Sequence, residues 1–98
     1  MSSFFNLIAT DQLVLVDFFA EWCGPCKTMS SILKELKGSL GDRVKILKID
    51  VDKNQRLATA LSVQGVPTLI LYKKSKILWR QSGVVSKNDI ISKINEFL

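Results

Sequence analysis

The chain has no histidine and only two cysteines, Cys23 and Cys26, among its 98 residues. Because no cysteine remains outside this pair, a network of structural disulfides is excluded. Without histidine, a metal site of the CxxC…CxxH type cannot form within one molecule. No apolar run is long enough to span a bilayer, and the first residues lack the basic segment and the cleavage site of a signal peptide. We therefore expect a cytoplasmic protein with no membrane partner, and a reducing compartment agrees with an easily reduced pair of thiols.

The chain also has fewer acidic than basic residues: 9 Asp and Glu against 14 Lys and Arg, which gives a net charge of +5. The basic residues are dispersed apart from Lys73, Lys74 and Lys76, and no aromatic or glycine-rich binding motif accompanies them. Solvated surface lysines explain this pattern better than a nucleic-acid site does. We therefore expect no nucleic-acid partner, although the excess positive charge can favour acidic protein partners.

The hydrophobic pattern predicts one α/β domain over residues 1–98, with ample apolar residues (47%) for a core. Segment 13–19 is almost wholly apolar, interrupted only by Asp17, which is typical of a central strand covered on both faces. The order of elements predicts three layers around a mixed sheet, closed by an antiparallel hairpin. The predicted elements are helices over residues 3–10 and 23–36 (ended by Gly38 and Gly41), a short helix capped by Asp52 with Gln55, a last helix capped by Ser86 with Asp89, and strands over residues 13–19, 44–51, 68–72 and 77–81.

The two cysteines stand one helical turn apart, close enough to bridge with little movement of the backbone. Cys23 is expected at the start of a helix, with Pro25 in the first turn, where free N–H groups and the helix dipole favour a thiolate. Cys23 is then the attacking thiol, and the more buried Cys26 resolves the mixed disulfide. Two readings remain open beside this one: a pair of unreactive core thiols, and a metal or iron–sulfur site that bridges two molecules.

Segment 22–27 (WCGPCK) resembles the active-site motif of the thioredoxin family. Segments 16–21 (VDFFAE), 48–52 (KIDVD) and 65–68 (GVPT), together with Gly83, extend the resemblance over residues 12–98. It implies a thioredoxin fold and a protein-disulfide reductase that acts through Cys23 and Cys26. It also implies disulfide-containing protein substrates, a thioredoxin reductase as electron donor and no bound cofactor, because the electrons pass through the cysteines.

The resemblance also assigns roles to residues outside the cysteine motif. Burial within its strand should raise the pKa of Asp17, and by resemblance this acid helps to deprotonate Cys26, with Lys48 as its paired cation. The peptide bond before Pro67 is implied to be cis, and the backbone of Val66 to pair with an extended substrate segment. The expected substrate surface comprises Trp22, Gly24, Pro25, Gly65, Val66, Pro67 and Gly83.

The chain departs from the family pattern at its N-terminus, where about a dozen residues precede the strand that begins at Leu13. We therefore expect the first strand of the family to be missing, a sheet of four strands, and an exposed edge along residues 44–51. Lys45 is the best candidate for a charge that discourages pairing at this edge. A monomer is expected, with a dimer through the edge as the alternative.

In the hairpin, Lys74 and Ser75 replace the usual Asn-Gly, so a type I′ turn is expected to be strained or replaced.

Two other functions fit the same residues. The first is an oxidant or isomerase instead of a reductant. The second is a binding subunit that uses the surface of Trp22, Val66 and Gly83 without redox turnover.

Overall fold

A four-stranded sheet organises the computed structural model, which describes residues 2–98. Its strand order is β2-β1-β3-β4; β1 runs parallel to β2 and antiparallel to β3, and β3 pairs with β4 in an antiparallel hairpin. The predicted mixed sheet of four strands is confirmed for these residues, and β2 lies at an edge. The elements are α1 (Ser2–Ile8), β1 (Leu13–Phe19), α2 (Gly24–Leu40), a 3-10 turn (Gly41–Arg43), β2 (Val44–Asp50), α3 (Gln55–Ala60), β3 (Thr68–Lys73), β4 (Lys76–Ser82) and α4 (Lys87–Asn95).

Helices cover both faces of the sheet, which confirms the three predicted layers. On one face, Leu33 and Leu36 of α2 and Ile90 of α4 pack against side chains of the strands. On the other face, Phe4 of α1 and Leu57 of α3 pack against the opposite side chains. Because successive side chains of a strand point to opposite faces, this arrangement buries nearly all of β1.

Helix α2 is longer than the sequence predicted, since it begins at Gly24 and ends at Leu40. Gly38 lies inside the helix, so the prediction that it ends the helix was wrong. Gly41 caps the C-terminus with a φ of 56°, and its N–H donates to the carbonyl of Lys37. The apolar stripe explains the extra turn, because Leu40 is buried in the core that α2 and α4 share.

The start of helix α3 also differs from the prediction. Asn54, rather than Asp52, occupies the N-cap position, and its side chain makes no capping hydrogen bond. The Asp50 carboxylate accepts hydrogen bonds from the N–H groups of Asp52 and Lys53, at 2.9 and 3.3 Å, and so shapes the turn that leads into α3. In contrast, the predicted Ser86 cap of α4 is confirmed by its bond from the N–H of Asp89.

The hairpin turn between β3 and β4 keeps a left-handed backbone without the usual glycine. Lys74 and Ser75 have φ values of 52° and 66°, which side-chain-bearing residues rarely adopt. Their N–H groups donate to the carbonyls of Thr10 and Ile8, at 2.8 and 2.9 Å. These bonds tie the turn to the segment between α1 and β1 and hold it in this conformation.

Within the residues described, no helix has both the length and the apolar composition needed to cross a bilayer.

Candidate active site

The two cysteines lie where the loop after β1 meets α2. Cys23 is the N-cap of the helix, and Cys26 lies in its first turn. They form a disulfide with a Cα–Cα distance of 5.3 Å. The N–H of Cys26 donates to Sγ of Cys23 at 3.1 Å, so one of the free N–H groups at the helix start is directed at the sulfur. In this oxidised form both residues are 4% exposed. The expectation that Cys26 is the more buried of the two was therefore wrong.

The loop before β3 faces the disulfide. The Val66–Pro67 peptide bond is cis, as the family resemblance implied. The carbonyl oxygen of Val66 lies 3.7 Å from Sγ of Cys23, and the carbonyl of Pro67 accepts a hydrogen bond from the N–H of Gly83 at 2.8 Å. The Thr68 hydroxyl donates to the carbonyl of Gly65 at 2.6 Å, which fixes the bend. The structure therefore places Val66 beside Cys23 and joins Gly83 to the same loop through Pro67.

An exposed surface surrounds the disulfide and the loop that faces it. Trp22 is 73% exposed, and its indole N–H donates to Oδ2 of Asp52 at 2.8 Å. Gly24, Pro25 and Gly65 are exposed as well. Sequence reasoning missed Asp52 as the partner of the indole; no motif signals this bond, because 30 residues separate its two ends. It also missed Val84, which is 45% exposed next to Gly83 and could have been noticed as an apolar residue beside that glycine.

Asp17 is fully buried on β1. Among residues 2–98, neither of its carboxylate oxygens has a hydrogen-bond partner. Burial raises the pKa of Asp17 from 3.8 to about 6, and the charge of Lys48 partly opposes this shift. The predicted raised pKa is thus supported by the environment of the carboxylate, and a group with this pKa exchanges protons near neutral pH.

Lys48 lies opposite Asp17 in the β1–β2 register, but its ammonium makes no hydrogen bond to the carboxylate. Nζ donates to the hydroxyl of Ser30 at 2.7 Å and lies 4.9 Å from the centre of the Phe19 ring. The expected pairing with Asp17 therefore differs from the geometry observed, because Ser30 offers a partner that is accessible to solvent. Sequence reasoning missed Ser30, although its position one helical turn after Cys26 could have indicated it.

A pocket of about 250 Å³ opens beside Cys26. Cys26, Lys27 and Ser30 of α2 line one wall, and Phe19 and Lys48 line the other. This volume exceeds the roughly 10–15 Å³ that a cavity needs to hold one water, so Cys26 has space beside it for solvent or small molecules.

A cysteine pair at a helix start that faces a cis-proline loop, on a sheet whose central strand buries an acid, defines a dithiol oxidoreductase of the thioredoxin fold. The chain belongs to the thioredoxin family, whose model, described as Thioredoxin, matches residues 1–96. It is 38% identical to a thioredoxin of Bacillus subtilis over 94 residues, which cover 96% of this chain and 90% of that protein. It is 46% identical to a thioredoxin of Chlamydia trachomatis over 84 residues, covering 86% of this chain and 81% of that one.

The solved structures agree with the sequence relatives. A crystal structure of thioredoxin from Trypanosoma brucei brucei superimposes with a TM-score of 0.90 at 28% identity, covering 98% of this chain and 83% of that chain. The chain is a thiol–disulfide oxidoreductase and a protein-disulfide reductase, as its thioredoxin relatives and the bonded pair Cys23–Cys26 show.

Proposed function

We propose that Cys23 is the nucleophile and Cys26 the resolving thiol in the reduction of substrate disulfides. The Cys23 thiolate attacks one substrate sulfur, forms a mixed disulfide and releases the other substrate sulfur as a thiolate. Cys26 then attacks Cys23, the enzyme disulfide forms, and the second substrate sulfur leaves reduced. The observation that carries this assignment is the hydrogen bond from the N–H of Cys26 to Sγ of Cys23, which stabilises a thiolate on Cys23.

Asp17 accepts the proton that Cys26 loses when it attacks. A carboxyl with a pKa of about 6 is largely ionised at neutral pH and still takes up a proton readily. Phe19 packs against the cysteines, and Asp17 precedes it by two residues, so both lie on the same face of β1. The pocket beside Cys26 has room for a water next to the thiol, and such a water would carry the proton on toward Asp17, which lies outside the pocket lining. Lys48 contributes through its charge, which partly lowers the pKa of Asp17.

Substrates bind across the exposed surface around Cys23. Trp22 and Val66 supply apolar contacts, and the backbone of the Val66–Pro67 loop is positioned to pair with an extended segment of the substrate. The remaining surface residues are Gly24, Pro25, Gly65 and Gly83. A thioredoxin reductase returns the disulfide to the dithiol by using the same surface, and the working unit is a monomer.

The reaction takes place in the cytoplasm, a reducing compartment where a dithiol is kept available. Immunodetection after cell fractionation tests this location; recovery with an oxidising compartment would contradict it.

Insulin reduction with a thioredoxin reductase and NADPH tests the roles of the cysteines. We expect Cys23→Ser to abolish turnover and to form no adduct with substrate. Cys26→Ser should also lose turnover but should accumulate a mixed disulfide, visible on a gel without reductant. Turnover by Cys23→Ser, or a Cys26→Ser variant that traps nothing, would contradict the assignment.

The direction of the reaction is tested by equilibration with glutathione. Thioredoxin-type reductants have potentials near −270 mV, whereas protein disulfide isomerase lies near −180 mV and the oxidant DsbA near −120 mV, so about 90 mV or more separates reductant from isomerase or oxidant. A value near the oxidising end would replace reduction with oxidation or isomerisation.

The exposure of Trp22 and Val84 favours one second candidate, a binding subunit that needs no redox turnover. A variant with both Cys23→Ser and Cys26→Ser distinguishes the two. If it restores the function of a deletion strain, binding alone is sufficient; if it fails while the unchanged protein succeeds, the redox function is required.

A further inference from the structure

Lys48 is held in one place although its residue is exposed. The hydrogen bond from its ammonium to the Ser30 hydroxyl joins strand β2 to helix α2 at 2.7 Å. The ammonium also lies over the Phe19 ring, 4.9 Å from the centre of the ring, within the range of a cation–π interaction. Together these two contacts fix the charge at the rim of the pocket beside Cys26.

The neighbouring serine uses its hydroxyl differently. Ser31 donates to the carbonyl of Lys27, one turn earlier in the same helix, at 3.4 Å. The bond of Ser30 crosses between two elements, whereas that of Ser31 stays within α2. The chain therefore contains a matched pair of adjacent serines, only one of which holds the ammonium.

The position of this ammonium matters because Asp17 lies next to Lys48. The two residues are partners in the β1–β2 register, on strands about 4.8 Å apart, and their side chains share a face of the sheet. From the other side, β3 presents the uncharged Leu69 at the register position of Asp17. Cys26 of α2 is held in the disulfide at this pocket, and the exposed Lys27 of α2 and Glu21 of the preceding loop line it as well. Lys48 is the cation whose charge is felt at Asp17.

We propose that Ser30 is a positioning residue of the active site: its hydroxyl holds the Lys48 ammonium at the pocket rim and thereby sets the charge that Asp17 experiences. The effect of Ser30 on turnover rests on the proposed function of Asp17 as proton acceptor for Cys26. Its effect on the ionisation of Asp17 does not depend on that function.

The direction of the effect follows from solvation. Without the hydroxyl, the ammonium of an exposed lysine on an edge strand moves outward into water, because moving inward to the buried carboxyl would remove its hydration. The field that favours the charged form of Asp17 then weakens. We expect Ser30→Ala to raise the pKa of Asp17 by roughly 0.3–0.5, as a partly screened charge a few ångströms further away would do.

The test follows the Asp17 carboxyl carbon by NMR between pH 3.5 and 9 in the oxidised protein, in which no thiol of the pair titrates. The variants are Ser30→Ala, Ser31→Ala as the matched control, Lys48→Met, and the double variant Ser30→Ala with Lys48→Met. Backbone spectra of each variant check that the fold is retained.

Four results are expected together. Ser30→Ala raises the pKa of Asp17, Ser31→Ala leaves it unchanged, Lys48→Met raises it further, and adding Ser30→Ala to Lys48→Met has no additional effect. A decrease or no change in Ser30→Ala, an equal shift in Ser31→Ala, or additive shifts in the double variant would overturn the proposal. A general structural disturbance predicts additivity, whereas positioning through Lys48 predicts none.

Insulin reduction separates this proposal from the proposed function. If Asp17 is the proton acceptor, the acidic limb of the pH–rate profile moves upward in Ser30→Ala by the same amount as the NMR titration. An NMR shift with an unchanged rate profile upholds the positioning by Ser30 and contradicts the role of Asp17. An unshifted Asp17 titration in Ser30→Ala, together with slowed turnover in Asp17→Asn, contradicts the positioning by Ser30 and upholds the role of Asp17.

Discussion

Replacing Asp17 with asparagine should stabilise the protein above pH 6 and have little effect near pH 3.5. Asparagine has nearly the same shape as the protonated carboxylic acid and carries no charge at any pH. Both Asp17 oxygens are buried without hydrogen-bond partners among residues 2–98, so the cost of the buried charge is not offset by donors. The comparison with Asp17→Asn therefore isolates the ionisation of one group.

The magnitude follows from the pKa of Asp17, which burial raises from 3.8 to about 6. Because the folded chain binds this proton more tightly than the unfolded chain, the contribution of Asp17 to stability is greatest below pH 3.8. It declines as the pH rises through 6 and is lost above. At about 1.36 kcal/mol per pH unit, the difference between the two pKa values corresponds to about 3 kcal/mol. At roughly 4–8 °C per kcal/mol, the midpoint of thermal unfolding should rise by about 12–24 °C at pH 8.

Urea unfolding of the oxidised proteins, followed by circular dichroism from pH 3.5 to 8.5, measures this difference. The other titrating groups contribute equally to both proteins and cancel in the difference. We expect the two stabilities to agree near pH 3.5 and to diverge by about 3 kcal/mol above pH 7. A difference that is independent of pH, or a less stable Asp17→Asn at pH 8, would refute the reasoning. On the proposed role of Asp17 as proton acceptor, insulin reduction by the same variant should also be slower at neutral pH, because the variant lacks the carboxylate.

Three further predictions concern packing and backbone geometry. Leu36→Ala empties a fully buried site beneath α2 and should cost about 2–5 kcal/mol in urea unfolding, whereas Glu35→Ala on the exposed side should change stability by less than about 0.5 kcal/mol. Replacing Lys74 and Ser75 with Asn-Gly should relieve two positive φ angles and raise the midpoint of thermal unfolding, and a lower midpoint would contradict the turn geometry. Ser86→Ala should cost about 1 kcal/mol through loss of the helix cap, and its rescue by Ser86→Asp would separate capping from packing.

The sequence predicted the layers and the strands because hydrophobic periodicity is a strong signal over whole elements. It failed at helix ends, where a few hydrogen bonds and contacts determine the residue at which a helix begins or ends. Gly38 was expected to end α2, but the apolar contacts of Leu40 carry the helix past it. Asp52 was expected to cap α3, but the Asp50 carboxylate accepts the hydrogen bonds of the preceding turn, and Asn54 occupies the N-cap position. Neither competition is visible in a pattern of apolar and polar residues.

For the site, the cysteine motif alone indicated the chemistry, and burial of Asp17 followed from its apolar neighbours. The cis bond before Pro67 came from the family resemblance, because trans is the ordinary expectation for such a bond. The partner of Lys48 could not be predicted in either way. A long flexible side chain can reach several nearby acceptors, and the one it binds depends on local geometry. The hydroxyl of Ser30 comes within reach of Lys48 only when the chain is folded.

The bonds from Lys74 and Ser75 to the carbonyls of Thr10 and Ile8 lie at the end of the strands remote from the disulfide. They join the first helix to the tip of the hairpin, so that the amino-terminal segment cannot peel away without releasing the loop between the last two strands. Main-chain hydrogen bonds that involve neither cysteine therefore hold this end of the domain together. The disulfide can form and break at the other end of the strands while these bonds remain intact.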